Sequence, residues 1–235
     1  DPVLDGVLDG FLPGDNVTAT YSRTDGEAVG FYTISATLSP TDALANYNVT
    51  YNTGTLTITS AAGAQLSITG YDGVYDGAFH SITVGDLEEE GNTVWYSEDA
   101  EDDEAWSPVK PEYMDVGNYT VYVKVTNPNY EDRLGSGTVT ITERPLEITA
   151  GSATKTYDGR PLTKGAYTIT GGSLADGDEL VRVTVTGSRT DVGSTPNVAS
   201  DAVIKRIEAL EEGEEGGVDV THNYDIAYVA GILQV

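Results

Sequence analysis

The sequence predicts an all-β protein of tandem small β-sandwich units, immunoglobulin-like in type, with β-grasp-like units as the alternative topology. Three observations carry that expectation. Apolar and polar residues alternate with period two: "VRVTVTG" puts Val181, Val183 and Val185 on one face, with Arg182, Thr184 and Thr186 on the other. In "NYTVYVKV" the inward set is Tyr119, Val121, Val123 and Val125, with Tyr122 and Lys124 outward. The composition is a strand-former's, with 15 Tyr against one Met, and 27 Gly supply turns. The chain also repeats itself.

The repeat is read from four phrases. Asn-Tyr occurs at 46, 129 and 223, and a Gly follows seven residues after each Tyr: Tyr47 and Gly54, Tyr130 and Gly137, Tyr224 and Gly231. Ahead of it stand "VGFYTI" at 29–34, "VGNYTV" at 116–121 and a degraded "VGSTPNV" at 192–198. "YDGVYDG" at 71–77 and "TYDGRPL" at 156–162 lie near the start of the later copies. Closing strands align as Leu56/Ile58, Val139/Ile141 and Leu233/Val235. The first two are followed by fresh alternation, "QLSITG" at 65–70 and "PLEITA" at 145–150. The units are therefore 1–60, which lacks its Tyr-Asp-Gly strand, 61–142, and 143–235, which carries an acidic insertion before Asn223. Each Asn-Tyr marks the entrance to the last strand pair of its unit, and each Gly a turn or bulge that a side chain would crowd. "DVGNYTV" adds a tyrosine corner, in which the Tyr119 hydroxyl ties back to backbone upstream. Only "VIKRIEALEE" at 203–212 has Ile204, Ile207 and Leu210 in helical step, enough for a short turn of helix.

Charge and composition exclude several function classes. The net charge is −26, from 38 acidic and 12 basic residues, a field that repels nucleic acid and anionic lipid. With no cysteine there is no disulfide, thiol catalysis or Cys-based zinc site. No apolar run reaches the ~18 residues of a membrane span. The start "DPVLDGVLDG" does not read as a signal peptide, and both ends read as cut within a repeat.

Candidate chemistry is sparse. His80 and His222 stand apart in sequence without a nucleophile motif, so no catalytic residue is assigned and the chain reads as a non-enzyme. "SEDAEDDEAW" at 97–106 gathers Glu98, Asp99, Glu101, Asp102, Asp103 and Glu104, oxygen ligands that calcium could use, but without a loop-forming spacing. That loop and the weaker "EALEEGEEGG" at 208–217 therefore read as solvated charge, and neither a metal nor a cofactor is assigned. Trp106 and nearby Tyr113 could stack on a sugar, the basis of a carbohydrate- or glycoprotein-binding alternative. Trp95 reads as core or edge. Lys124 and Lys155 lack an obvious buried acid for an isopeptide link. "FLPGD" at 11–15 reads as a turn, and the sequons at Asn16, Asn48 and Asn118 fall in Thr-rich strands and are given no weight.

The phrases "YDG…VGNYTVYVKVTNPNY…GSGTVTIT" and "GFLPGD…VGFYTISA…NYNVTYNTGTLTIT" resemble the MBG/YDG-type tandem repeats of large, adhesin-like bacterial surface proteins. The resemblance implies an extracellular, cell-surface β module acting as stalk or adhesive array, held to the wall through segments outside this sequence. Its expected partners are neighbouring repeats and a host glycan or glycoprotein, with no nucleic acid and no membrane insertion. It supplies no catalytic residues.

Overall fold

A computed structural model describes residues 2–85, 87–207 and 217–235. Strands dominate it, as the alternation predicts. Their order is β1 (Thr18–Arg23), β2 (Gly30–Ser39), a single helical turn at Thr41–Leu44, β3 (Gly54–Ile58), β4 (Ser67–Thr69), β5 (Tyr71–Val74), β6 (Thr83–Gly85), β7 (Thr93–Ser97), β8 (Gly117–Asn127) and β9 (Tyr130–Thr142). There follow β10 (Arg144–Ala150), β11 (Ala153–Thr154), β12 (Tyr167–Gly172), β13 (Asp178–Thr186), β14 (Ser194–Arg206), β15 (Val218–Asp219), β16 (Tyr224–Val229) and β17 (Gly231–Gln234).

The chain divides into two compact units. The first comprises Asp1–Gln65, Leu87–Val94 and Lys124–Arg133; the second comprises Leu66–Asp86, Trp95–Val123 and Leu134–Val235. In the first unit, β1, β2 and β3 form an antiparallel sheet in that order, and Leu38 is its one residue in the buried apolar core. A polar knot lies elsewhere in the same unit. Arg133 pairs with Glu89 at 3.1 Å and donates to the Ala64 carbonyl (2.8 Å) and Asn92 (2.9 Å). The Ala64 amide and the Asn92 side chain both donate to Glu89 and hold its carboxyl down at about 2.

The second unit holds the third copy of the repeat and most of the second. One sheet runs β5-β9-β8-β7, with β4 and β6 paired separately. Val121, Val123, Val139 and Ile141 are buried there, on the face that period two assigns. In the third copy β12-β10-β16 forms one sheet, and β11-β17-β14-β13, with β15 on β14, forms another. Strands β10 and β16 pack across onto β14, closing a small sandwich over Leu146, Ile148, Ile204 and Leu233.

Two expectations are corrected. Val181 is exposed and Val183 and Val185 only half-buried, because the β13–β14 register shifts between Leu180 and Arg182 and again between Arg182 and Thr184. Each irregularity breaks the pleat, so the three valines do not share a buried face. Residues 203–206 of the expected helical turn belong to β14, where Ile204 is buried and Lys205 and Arg206 pair with β15. Flanking strands on both sides capture this segment despite its helical step. Residues 208–212 of that stretch, and 208–216 of the acidic run, lie outside the described residues.

Candidate functional site

The recurring phrases fold into defined devices. Tyr119 follows Val-Gly at the start of β8, and its hydroxyl donates to the carbonyls of Asp115 (3.1 Å) and Val116 (3.4 Å). This is the predicted corner. The first copy makes it too: Tyr32 of "VGFYTI" donates to the Ala28 carbonyl, again four residues upstream, at 2.6 Å. In "DVGSTP" a Thr stands where that Tyr would be, and Arg189 takes over the task. Its guanidinium donates to the carbonyls of Asp191 and Val192, both at 2.8 Å, the counterparts of Asp115 and Val116.

The Asn-Tyr phrases diverge in a graded way. Tyr130 opens β9 and Tyr224 opens β16, whereas Tyr47 lies in a bend and hydrogen-bonds Asp15 and the Leu12 amide. A Cβ on Gly231 would come within 2.5 Å of the Ala150 and Gly151 carbonyl oxygens. One on Gly137 would lie 2.8–2.9 Å from methyls of Ile68 and Ile82, and one on Gly54 would meet only ordinary contacts of Ile34 at 3.5 Å. Crowding thus requires glycine in the later two copies and merely permits it in the first.

The most enclosed chemistry in the second unit is a cluster the sequence did not disclose. Tyr75, from "YDGVYDG", is fully buried and donates to Asp178 at 2.9 Å. Tyr224, from the third Asn-Tyr, donates to the same carboxylate oxygen at 2.7 Å and receives the Ala175 amide at 2.8 Å. Arg206 pairs with the other Asp178 oxygen at 3.1 Å and donates to the Tyr75 hydroxyl at 2.9 Å. The two rings meet edge to face, their centroids 5.5 Å apart. The Asp178 side chain has no exposure to solvent. Burial, with the Asp178 carboxylate beside it, pushes the Tyr75 hydroxyl up to about 12, and burial likewise raises Tyr224. The second copy supplies Tyr75, and the third supplies the other three residues. Tyr75 and Tyr224 sit in recurring phrases and so were visible as positions; Asp178 and Arg206 carry no motif.

Residues singled out in the sequence for chemistry are dispersed. His80 stacks on Tyr71 at 3.7 Å and bonds Asp76, while His222 is exposed, 3.8 Å from Asp115. In the acidic loop Asp99 and Asp102 accept the amides of Glu101 and Glu104, so their carboxylates shape local turns. Among the described residues no three His, Asp or Glu groups converge as a metal site. The Tyr96–Ser107 backbone pair closes the loop, and Tyr113 donates to its Glu98. Tyr113 stacks on Tyr119 at 4.0 Å; with Phe79, Met114 and Val218 they line a shallow groove of about 330 Å³ whose walls do not include Trp106. Trp106 and Trp95 are both half-buried. Lys155 pairs with Asp158, whose side chain is half-exposed. The first unit contains a larger cleft, of about 560 Å³, lined by Phe11, Tyr21, Tyr47, Asn48, Tyr51 and Asn52 among others.

Among solved structures, the chain is similar to "Protocadherin gammaB7 EC3-6 cis-dimer structure" over 93% of its length and 68% of that chain, at 9% identity and a TM-score of 0.26. It is also similar to the three N-terminal domains of the bacteriophage RB49 Highly Immunogenic Outer Capsid protein (Hoc), over 93% of this chain and 98% of that one, at 13% identity and a TM-score of 0.27. No curated protein matches. Residues 1–57 match the family described as MBG domain (YGX type), in keeping with the resemblance read from the phrases of the first copy.

Proposed function

We propose that the chain is a non-catalytic repeat region of a bacterial surface protein, working outside the cell as a stalk or adhesive array. The observation that carries this reading is the buried Tyr75–Asp178–Arg206–Tyr224 cluster. Tyr75 of the second copy bonds both Asp178 and Arg206 of the third, so a buried ion pair within one copy is tied to its neighbour. The MBG-type match at residues 1–57 supports the same reading, as does an acidity that keeps an array soluble and self-repelling. The test is antibody labelling of intact source cells with serum raised against this chain. Labelling without permeabilisation is expected; labelling only after permeabilisation overturns the surface assignment.

A second reading, a module for a host glycan or glycoprotein, is favoured by the cleft of the first unit. Phe11 and Tyr47 meet edge to face at 4.9 Å there, among Asn48, Tyr51 and Asn52, an aromatic and amide lining suited to sugar faces and hydroxyls. A glycan array with the intact chain tests it: signal lost in Tyr51→Ala, whose ring is exposed, supports binding in the cleft. An array without signal removes this reading and leaves the first.

A further inference from the structure

The three copies of the repeat do not complete their closing strands in the same way. In the second copy β9 lies between β8 and β5, and β5 runs parallel to it with Tyr71 opposite Val139 and Gly73 opposite Ile141. In the third, β17 lies between β14 and β11, and β11 runs parallel to it with Ala153 opposite Leu233. The flanking strand occupies the same place in the phrase each time. The residue facing the first closing apolar position stands four ahead of a Tyr-Asp-Gly: Tyr71 ahead of Tyr75, and Ala153 ahead of Tyr157.

In the first copy the closing strand β3 pairs with β2 on one side, and among the described residues no strand pairs with its other edge. Burial records the difference. Val139, Ile141 and Leu233 are 0%, 2% and 0% exposed, whereas their counterparts Leu56 and Ile58 are only half-buried. A strand edge of this kind presents unpaired amides and carbonyls, a template for one more strand.

We infer that the outer edge of β3 is a docking site for a parallel strand, and that its occupant is a short extended segment ending in Tyr-Asp-Gly, of the kind the later copies carry. The register follows from theirs: the residue four ahead of the Tyr sits opposite Leu56, and the residue two further on opposite Ile58. Recognition is β-augmentation, with main-chain hydrogen bonds holding the added strand beside Leu56 and Ile58. The inference is independent of where the protein works and of any glycan.

The test tethers the segment "ITGYDGVYDG", residues 68–77, to the start of the full chain through a flexible linker, with a scrambled tether as control. Hydrogen exchange of the β3 amides is read in both. Occupancy of the edge for nine-tenths of the time slows exchange of the outward-facing β3 amides by about tenfold relative to the scrambled tether. A tether with Pro in place of the segment's central Gly, which removes one ladder donor, loses that protection. Equal exchange in the two tethered chains, or slowing confined to β1, overturns the inference.

Discussion

Removing the carboxylate of Asp178 separates a junction that holds two repeats together from one that merely touches both. This carboxylate accepts three hydrogen bonds, from Tyr75 at 2.9 Å, Tyr224 at 2.7 Å and Arg206 at 3.1 Å, and its side chain is wholly enclosed. Asp178→Ala leaves the Arg206 guanidinium, whose side chain is only 10% exposed, without its counter-charge. Breaking a buried pair from one side costs about 3–5 kcal/mol. At roughly 2–4 °C per kcal/mol for a body of this size, the second unit should melt about 6–20 °C lower. Replacing both partners, Asp178→Leu with Arg206→Met, removes the stranded charge. It leaves two tyrosine hydroxyls short of an acceptor, a smaller loss of about 2 kcal/mol. Calorimetry gives the shift, and hydrogen exchange gives its reach: protection should fall together in β5 of the second copy and β16 of the third. A shift under about 2 °C, beneath the smallest expected from a broken pair, would refute the reasoning. So would a double variant no better than the single one, or loss of protection confined to β16.

Three further outcomes follow from the repeats. Arg189→Ala should destabilise the third copy, and Tyr119→Phe the second, by about 1 kcal/mol each in chemical denaturation, because both remove the tie to equivalent carbonyls. An Arg189→Ala chain with unchanged stability would show that the guanidinium only decorates the turn. Alanine at the phrase glycines should rank by crowding: Gly54→Ala neutral or slightly stabilising, Gly137→Ala costing about 1–3 kcal/mol and Gly231→Ala more, since rigid carbonyls block it. Tyr75 ionises near its ordinary value of 10.0 once unfolded but at about 12 when folded, so its contribution is whole below pH 10 and disappears as pH rises from there through about 12. Denaturation midpoints across that window should fall less steeply in Tyr75→Phe, and a parallel fall would assign the loss to other groups.

What the sequence disclosed, and what it hid, divides by the range of the interaction. The corner at Tyr119 was legible because a tyrosine two residues after a turn glycine is a local pattern whose partner lies four residues away. The phrase glycines were legible as positions, although only the fold distinguishes Gly231, facing carbonyl oxygens, from Gly54, facing open contact. The Val181 alternation failed because period two assumes an unbroken ladder, and register shifts are set by the partner strand β14. Arg189 escaped notice because an arginine two residues ahead of Asp-Val-Gly does a tyrosine's work with no resemblance to it. Asp178 and Arg206 are separated by 28 residues and from Tyr75 by 103 and 131, so no local pattern could join them.

The parallel pairing of β10 with β16 matches Arg144 to Tyr224 and Thr149 to Val229, strands from the two extremes of the third copy. An antiparallel hairpin can zip from its turn as soon as both arms exist. This pair cannot, because eighty residues of chain must be closed into a loop before the first hydrogen bond of the ladder forms. Synthesis delivers the chain from one end, so β10 emerges early with one lateral neighbour, β12, and an open edge where β16 will lie. The third copy is thus a slow closer, exposed to wrong partners until its last strands arrive. Because the copies share strand phrases, the wrong partner at hand is the equivalent strand of the copy next door.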